Sequence, residues 1–347
     1  MTRVITMDEQ DAWVTCVRQC AHYDFYHSWS YHVLHLDQGV PLLFVYEEGE
    51  NFIAMPFLKR SIPGTDHFDM TSVYGYGGPI SNLRYESLDL QLILGFKAGL
   101  LLFLEQQQIV SVFARLHPFF NQRLIMDHFD GITNNGKVVA LDLGIAIEEQ
   151  RAQYQERVQR KIRQLRKRGY HVREGKTSED IRVFSAIYND NMLRLQAADS
   201  YLFDEAYFEQ MLSSKEYDAR LLFVNDESGD PVCAAIVVFT NDLIQAHLLG
   251  TRAEYRAESP AKLLIDEVTL MGRQKGMRYY NLGGGLSYKE DSLYEWKRSF
   301  SRSTFEFHSW RLIVDPAQYN YLLHQMGVDA SSQVDFFPLY RNETAKV

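Results

Sequence analysis

Pro41–Lys59 reads PLLFVYEEGENFIAMPFLK, and Arg220–Thr240 reads RLLFVNDESGDPVCAAIVVFT. The string LLFV stands at Leu42–Val45 and again at Leu221–Val224. An acidic turn comes after each copy, Glu47-Glu48-Gly49 in the first and Asp226-Glu227-Ser228-Gly229 in the second, and a second apolar run succeeds each turn. Two β-rich runs around a polar, Gly-containing turn predict a hairpin. One shared tetrapeptide arises by chance; string, turn and second strand together mark a duplication.

The segments C-terminal to the two hairpins also correspond. The first hairpin is succeeded by an aromatic, Gly-rich stretch (Val73–Ile80, VYGYGGPI), a helix expected over Tyr85–Gln107 and a strand over Ile109–Leu116. The second is succeeded by a strand over Leu243–Gly250, a helix over Pro260–Lys275 and a strand over Arg278–Leu282. Ser259 is the expected N-cap, with Pro260 at the first helical position, and Gly276 the expected stop after Arg273 and Lys275. Hairpin, strand, helix, strand in each half predicts an α/β (α+β) fold with mixed, mostly antiparallel sheets flanked by helices. A chain of 347 residues is long enough for two cores. The expected boundaries are 1–147, a linking helix over 148–170, and 171–347.

The linking segment carries the strongest charge signal. Tyr154, Val158, Ile162 and Leu165 recur at helical spacing within Glu148–Arg168, and Gly169 ends the run. From Arg157 to Arg173 eight cations occur with no acid, in a chain whose net charge is −9. A merely solvated helix face usually alternates its charges, so Arg160, Lys161, Arg163, Arg166 and Lys167 point to a polyanionic partner. The acidic balance of the whole chain argues against general nucleic-acid coating.

Several classes fall away. Cys16, Cys20 and Cys233 form no disulfide framework, which fits a reducing cytosol and a cytoplasmic location. Met1–Gln10 shows no signal-peptide pattern, and the most apolar stretch, Leu88–Leu104, is interrupted by Lys97 and too short to span a bilayer. His22, His27, His32 and His35 sit among aromatic residues at spacings that fit no metal template, so packing is expected and no metal site. Neither a Gly-x-Ser-x-Gly elbow nor a P-loop occurs.

Four segments then converge. Gln159–Val172 (QRKIRQLRKRGYHV), Asn281–Gly285 (NLGGG), Ser292–Phe300 (SLYEWKRSF) and Phe337–Arg341 (FPLYR) resemble the Fem family of aminoacyltransferases. Tyr74–Pro79 (YGYGGP) and Arg115–Pro118 (RLHP) extend the resemblance over nearly the whole chain. That family is similar to a tandem pair of GNAT acetyltransferase domains. The resemblance implies transfer of an amino acid from aminoacyl-tRNA, as co-substrate in place of a bound cofactor, onto an amine of a cell-wall (peptidoglycan) precursor or related acceptor. It also implies that Trp296 stacks on the terminal adenine, as aromatic rings do with unpaired bases, and that Lys297 stabilises the oxyanion. The family usually has Phe at the position of Trp296. Its long helical arm has no room between Tyr170 and Ala219.

Around that pair, Arg298, Asn281, Gly283, Gly284 and Arg256 are the expected donor-binding residues. Tyr74, Tyr76, Arg115 and Arg194, the last on a helix expected over Ser185–Gln196, are the expected acceptor-binding residues. The five cations of the linking helix are the expected tRNA contacts. The second half would thus handle the acyl donor and the first would shape the acceptor site.

Two alternatives stay open. An acetyl-CoA-dependent N-acyltransferase would cradle pyrophosphate on a Gly-rich turn. The corresponding turn, Arg256-Ala257-Glu258-Ser259-Pro260-Ala261, has Ser259 in place of Gly, Pro260 without an amide hydrogen and an acid at Glu258. The other alternative is a non-catalytic module that binds polyanions or envelope glycans.

Overall fold

A computed structural model describes residues 1–198, 201–329 and 334–342. In chain order its strands and helices begin with β1 Thr2–Thr6, α1 Gln10–Gln19, α2 Trp29–Val33, β2 Val40–Glu48, β3 Asn51–Ser61, β4 Phe68–Thr71 and β5 Ile80–Ser81. Next come α3 Leu90–Gln106, β6 Ile109–Arg115, α4 Arg123–Met126, β7 Ile132–Asp142, α5 Ile147–Ala152 and α6 Glu156–Lys167. They are succeeded by β8 His171–Gly175, α7 Ser178–Arg194, α8 Glu205–Leu212, β9 Asp218–Asn225, β10 Pro231–Thr240 and β11 Leu243–Thr251. The chain continues with α9 Ala261–Gln274, β12 Tyr279–Gly283, α10 Ser292–Arg298, β13 Thr304–Ile313 and α11 Pro316–Gln325.

The duplicated text folds into duplicated structure. β2 and β3 pair so that Leu42 faces Phe57 and Val45 faces Ala54. β9 and β10 pair so that Leu221 faces Ile236 and Val224 faces Cys233. One constant offset relates all four positions, so the repeat preserves register as well as composition. Register matters because a one-residue slip would turn every buried side chain to the other face.

The chain divides into two compact units, Met1–Asn135 with Glu306–Val347, and Gly136–Phe305. Among the described residues the first unit's strands run β1-β2-β3-β4-β6-β13 and the second's run β8-β9-β10-β11-β12-β7. Neighbours are antiparallel except β4 with β6 and β11 with β12, which are parallel. The topology is the same in each unit, and each is a mixed sheet with helices against it.

The units are not the linear halves expected from the sequence. β13, near the chain's end, pairs with β6 (Ser309 opposite Arg115), whereas β7, from the earlier half, pairs with β12 (Tyr279 opposite Asp142). Each sheet takes its last strand from the other half of the sequence. The segment after β13 stays with the first unit, because Arg341 Nε donates to Asp69 Oδ2 at 2.5 Å and Tyr340 Oη to the same oxygen at 3.1 Å. Arg60 holds Oδ1 of that fully buried carboxylate at 2.6 Å. The FPLYR segment is therefore fastened to β4 through Tyr340 and Arg341.

The linking segment is likewise part of the second unit. It is two helices rather than one, α5 and α6, interrupted at Gln153–Gln155. Tyr154, Val158, Ile162 and Leu165 all enter the second unit's core, beside Tyr170, Leu264, Val268 and Phe300. Burying each aliphatic side chain stabilises the unit by about 1.5–3 kcal/mol. Ser259 does not cap α9: it adopts the left-handed region (φ 51°), its hydroxyl turns back to the Arg256 carbonyl, and the helix begins at Ala261. Gly276, at φ 72°, ends the helix as expected. β4 and β5 were not legible in the sequence.

Candidate acyl-transfer site

The site grows from the end of β12. Tyr280 and Leu282 of this strand enter the core, which leaves Asn281 on the other sheet face. There Asn281 Nδ2 donates to Gln245 Oε1 at 2.8 Å, across the register pair that joins β12 to β11. Asn281 Oδ1 accepts the Gly283 amide at 2.9 Å. The pairing of β12 with β7 slips between Asn281 and Gly283, a bulge-type irregularity after which Gly283 pairs with Val139. Gly283 then adopts φ 78°, where an L side chain would be strained, and a Cβ there would lie 3.2 Å from Lys297 Nζ.

The chain next closes over a short turn and enters α10. Asp291 caps that helix by accepting the Tyr294 amide through Oδ1 at 2.9 Å, and its Oδ2 accepts the Leu286 amide at 2.9 Å. The last turn of α10 carries Trp296, Lys297 and Arg298. Lys297 is half-buried, and its Nζ donates to the Gly284 carbonyl at 2.6 Å. Desolvation pulls its pKa down to about 8, opposed by the Asp291 carboxylate. A cation is thus held at the mouth of the glycine turn, still largely protonated at neutral pH.

Trp296 is half-buried and meets Phe300 edge-on at 5.3 Å, and Phe300 meets Tyr154 in the same way at 5.5 Å. The Gln155 amide donates to the Ser299 carbonyl at 2.9 Å. These contacts join the start of the basic helix α6 to the helix bearing Trp296 and Lys297. Two groups that are far apart in sequence thereby become neighbours in one unit.

The cations of α6 divide by partner. Arg166 donates to Asp266 and Glu267, and Lys161 lies 3.7 Å from Glu258. Arg160, Arg163 and Lys167 are exposed and have no carboxylate partner among the described residues. Burial, with the charges of Arg157 and Lys161 beside it, lowers the pKa of Lys262 at the start of α9. Positive charge therefore extends from α6 onto α9.

Other expected residues are placed differently. Asn281 uses both ends of its amide inside the protein, so it shapes the turn. Arg298 is half-buried and donates to the Ser301 carbonyl at 2.7 Å. Arg256 is exposed on a 3-10 turn over Ala253–Glu258. That turn consumes its own amides: Ser259 N donates to Tyr255 and Arg256, and Lys262 N to Ser259. Glu258 is held by Arg168 at 2.9 Å. Arg194 ends α7, which starts at Ser178 rather than at Ser185, and its guanidinium bonds Asn191 and the Thr251 carbonyl. With Asp190, Arg252 and Glu254 it lines a cavity of about 310 Å³ in the second unit.

In the first unit Tyr76 is buried among Tyr26, His117 and Phe307. Tyr74 is half-buried and accepts the Tyr31 hydroxyl at its carbonyl. Arg115 is half-buried, with its guanidinium 5.1 Å from the Phe113 ring. His27, His32 and His35 are buried in packing contacts, and no metal-binding group occurs among the described residues. No described helix is long and apolar enough to cross a membrane. Sequence reasoning missed Gln245, Asp266 and the buried pair His117–Asp24 (2.9 Å); nothing in a single sequence couples such distant positions.

Comparison with known proteins agrees with this architecture. Residues 152–298 match the family described as acetyltransferase (GNAT) domain. FemX superposes with a TM-score of 0.69 at 12% identity, covering 92% of this chain and 99% of FemX. L-PGS from Bacillus licheniformis gives 0.57 at 11% identity, covering 86% and 91% of the two chains. A tandem GNAT protein from the clavulanic acid biosynthesis pathway gives 0.50 at 10% identity, covering 91% and 99%. A search of curated proteins found no match. The chain has the fold of these acyltransferase-type structures.

Proposed function

We propose that this acyltransferase-type chain moves an aminoacyl group from aminoacyl-tRNA onto the amine of a cell-envelope precursor. The observation that carries this reading is the half-buried Lys297 ammonium, held on the Gly284 carbonyl beside Trp296. In the proposed reaction the acceptor amine attacks the ester carbonyl carbon, forming a C–N bond and a tetrahedral oxyanion. The C–O bond to the terminal ribose then breaks. The amine loses one proton and the departing ribose oxygen gains one, so the products are an amide and uncharged tRNA. Lys297 stabilises the oxyanion, a role that suits a cation placed before charge develops.

Three features favour tRNA as donor. Trp296 offers an aromatic face for the terminal base, and the exposed Arg160, Arg163 and Lys167 suit a phosphate backbone. The turn before α9 favours CoA poorly, because Pro260 has no amide hydrogen and the Ser259 and Lys262 amides are already bonded. The resemblance of NLGGG and SLYEWKRSF to the Fem family supports an amino acid as the acyl group. A donor of this kind supports a cytoplasmic location for the proposed reaction.

The test is to offer the purified chain a labelled aminoacyl-tRNA pool or labelled acetyl-CoA, with a panel of envelope-precursor amines. Label in amide product from charged tRNA supports the proposal. Label from acetyl-CoA alone replaces it with CoA-dependent N-acylation, and binding of precursors without any turnover replaces it with a binding module.

A further inference from the structure

Lys297 does not choose its own position. Its ammonium bonds the Gly284 carbonyl, so the direction of that carbonyl decides where the charge sits. The carbonyl is directed by the left-handed turn at Gly283, whose amide is tied to Asn281 Oδ1. Asn281 in turn has only one workable orientation. If its amide were turned over, Nδ2 would face the Gly283 N–H, donor against donor.

Gln245 and Asn281 are each 2% exposed, on adjacent parallel strands and in register. A buried amide pair of this kind requires its hydrogen bonds, since an unsatisfied polar group costs about 1–3 kcal/mol. The register of β12 against β7 slips just where this pair takes hold of the backbone, between Asn281 and Gly283. The buried pair is thus linked to the glycine turn through the Gly283 amide.

We propose that Gln245 and Asn281 are positioning residues for Lys297, acting through Gly283 and Gly284 to aim its ammonium. The inference rests on reading Lys297 as the acyl-transfer cation, but the coupling itself is measurable without turnover. Gln245→Leu removes the acceptor at similar volume, and Asn281→Ala removes the anchor of the turn. In both, the turn over Lys297 loosens and water reaches the ammonium.

The experiment tracks the Lys297 side-chain NMR signal with pH, assigned by its loss in Lys297→Met, alongside transfer kinetics. In Gln245→Leu and Asn281→Ala the Lys297 titration moves from about 8 toward its ordinary 10.5. Where transfer is observed, kcat falls roughly 10- to 100-fold with KM little changed. Asn281→Asp still accepts from Gly283, and takes a hydrogen bond from Gln245 once that amide turns over, so it keeps more of kcat than Asn281→Ala. A wild-type-like Lys297 titration in folded Gln245→Leu and Asn281→Ala overturns the proposal.

If both variants fail to fold, hydrogen exchange on the unaltered chain decides. Protection of the Gly283 amide supports the coupling, and exchange at the free-peptide rate overturns it. Should the Lys297 titration respond as stated while no donor supports transfer, the coupling stands and the acyl-transfer reading falls.

Discussion

Arg151 closes a two-point fork on Asp266, Nε to Oδ1 at 3.0 Å and Nη2 to Oδ2 at 2.7 Å. Arg166 reaches Oδ2 of the same carboxylate at 2.7 Å, so one buried acid on α9 holds both α5 and α6. The orientation of the basic helix therefore depends on a residue about a hundred positions away.

Replacing Asp266 with Ala leaves two guanidinium groups without their shared acceptor. Because both are partly exposed and water re-solvates them, the expected loss is about 1–3 kcal/mol, read by urea denaturation. Amides of α6 should also exchange faster. Unchanged stability together with unchanged exchange in α6 would remove Asp266 from its anchoring role.

Replacing Arg160, Arg163 and Lys167 together with Gln should alter stability by less than about 1 kcal/mol, because none has a carboxylate partner among the described residues. Binding of tRNA should weaken, and the slope of log affinity against log salt should fall by about 2–3. Arg166→Gln is expected to reverse the pattern, with a clear stability loss and a smaller change in slope. Equal effects from the two variants would argue that the exposed cations are only solvated.

Lys297 should impose a falling limb on the pH profile. Its pKa near 8 means that the charged form needed for oxyanion stabilisation disappears as pH rises through 8. Lys297→Arg should keep partial activity and lose that limb. Burial disfavours the Lys297 charge, and the unfolded chain binds this proton more readily between about 8 and 10.5, so stability rises with pH over that window. At neutral pH Lys297→Met should accordingly stabilise the protein by about 1–2 kcal/mol while lowering transfer by about a hundredfold or more. A destabilised Lys297→Met would contradict the desolvated site.

Arg341→Ala should leave the buried Asp69 with Arg60 and the Tyr340 hydroxyl alone. The expected cost is about 2–4 kcal/mol, confined to the first unit. Domain-resolved hydrogen exchange would show protection falling around β4 and α11 and unchanged around β9 and β10. Loss spread equally over both units would refute a local fastening.

The sequence carried the duplicated hairpin because apolar alternation and turn chemistry are local, and LLFV with its acidic turn survived in both copies. The apolar face of α6 was legible for the same reason, through Tyr154, Val158, Ile162 and Leu165. The last strand of each sheet was not legible. Pairing of β13 with β6 and of β7 with β12 depends on contacts that leave no mark in either segment alone. Pro260 pointed to a helix start but stands one residue before it, since α9 begins at Ala261, and Ser259 failed as the cap because the left-handed turn directs its hydroxyl backward. Trp296 and Lys297 were singled out by resemblance. Gln245, which steadies their turn, had no such signal, since an isolated Gln in a strand reads as an ordinary polar residue.

Single-turnover transfer decides whether Lys297 serves acyl transfer from aminoacyl-tRNA. Wild-type chain and Lys297→Met would be mixed with labelled aminoacyl-tRNA and an acceptor amine, with amide product and tRNA binding measured in parallel. The expected result is product from the wild-type chain, a loss of about a hundredfold or more in Lys297→Met, and tRNA affinity nearly equal in the two. Transfer by Lys297→Met at the wild-type rate would remove Lys297 from the reaction.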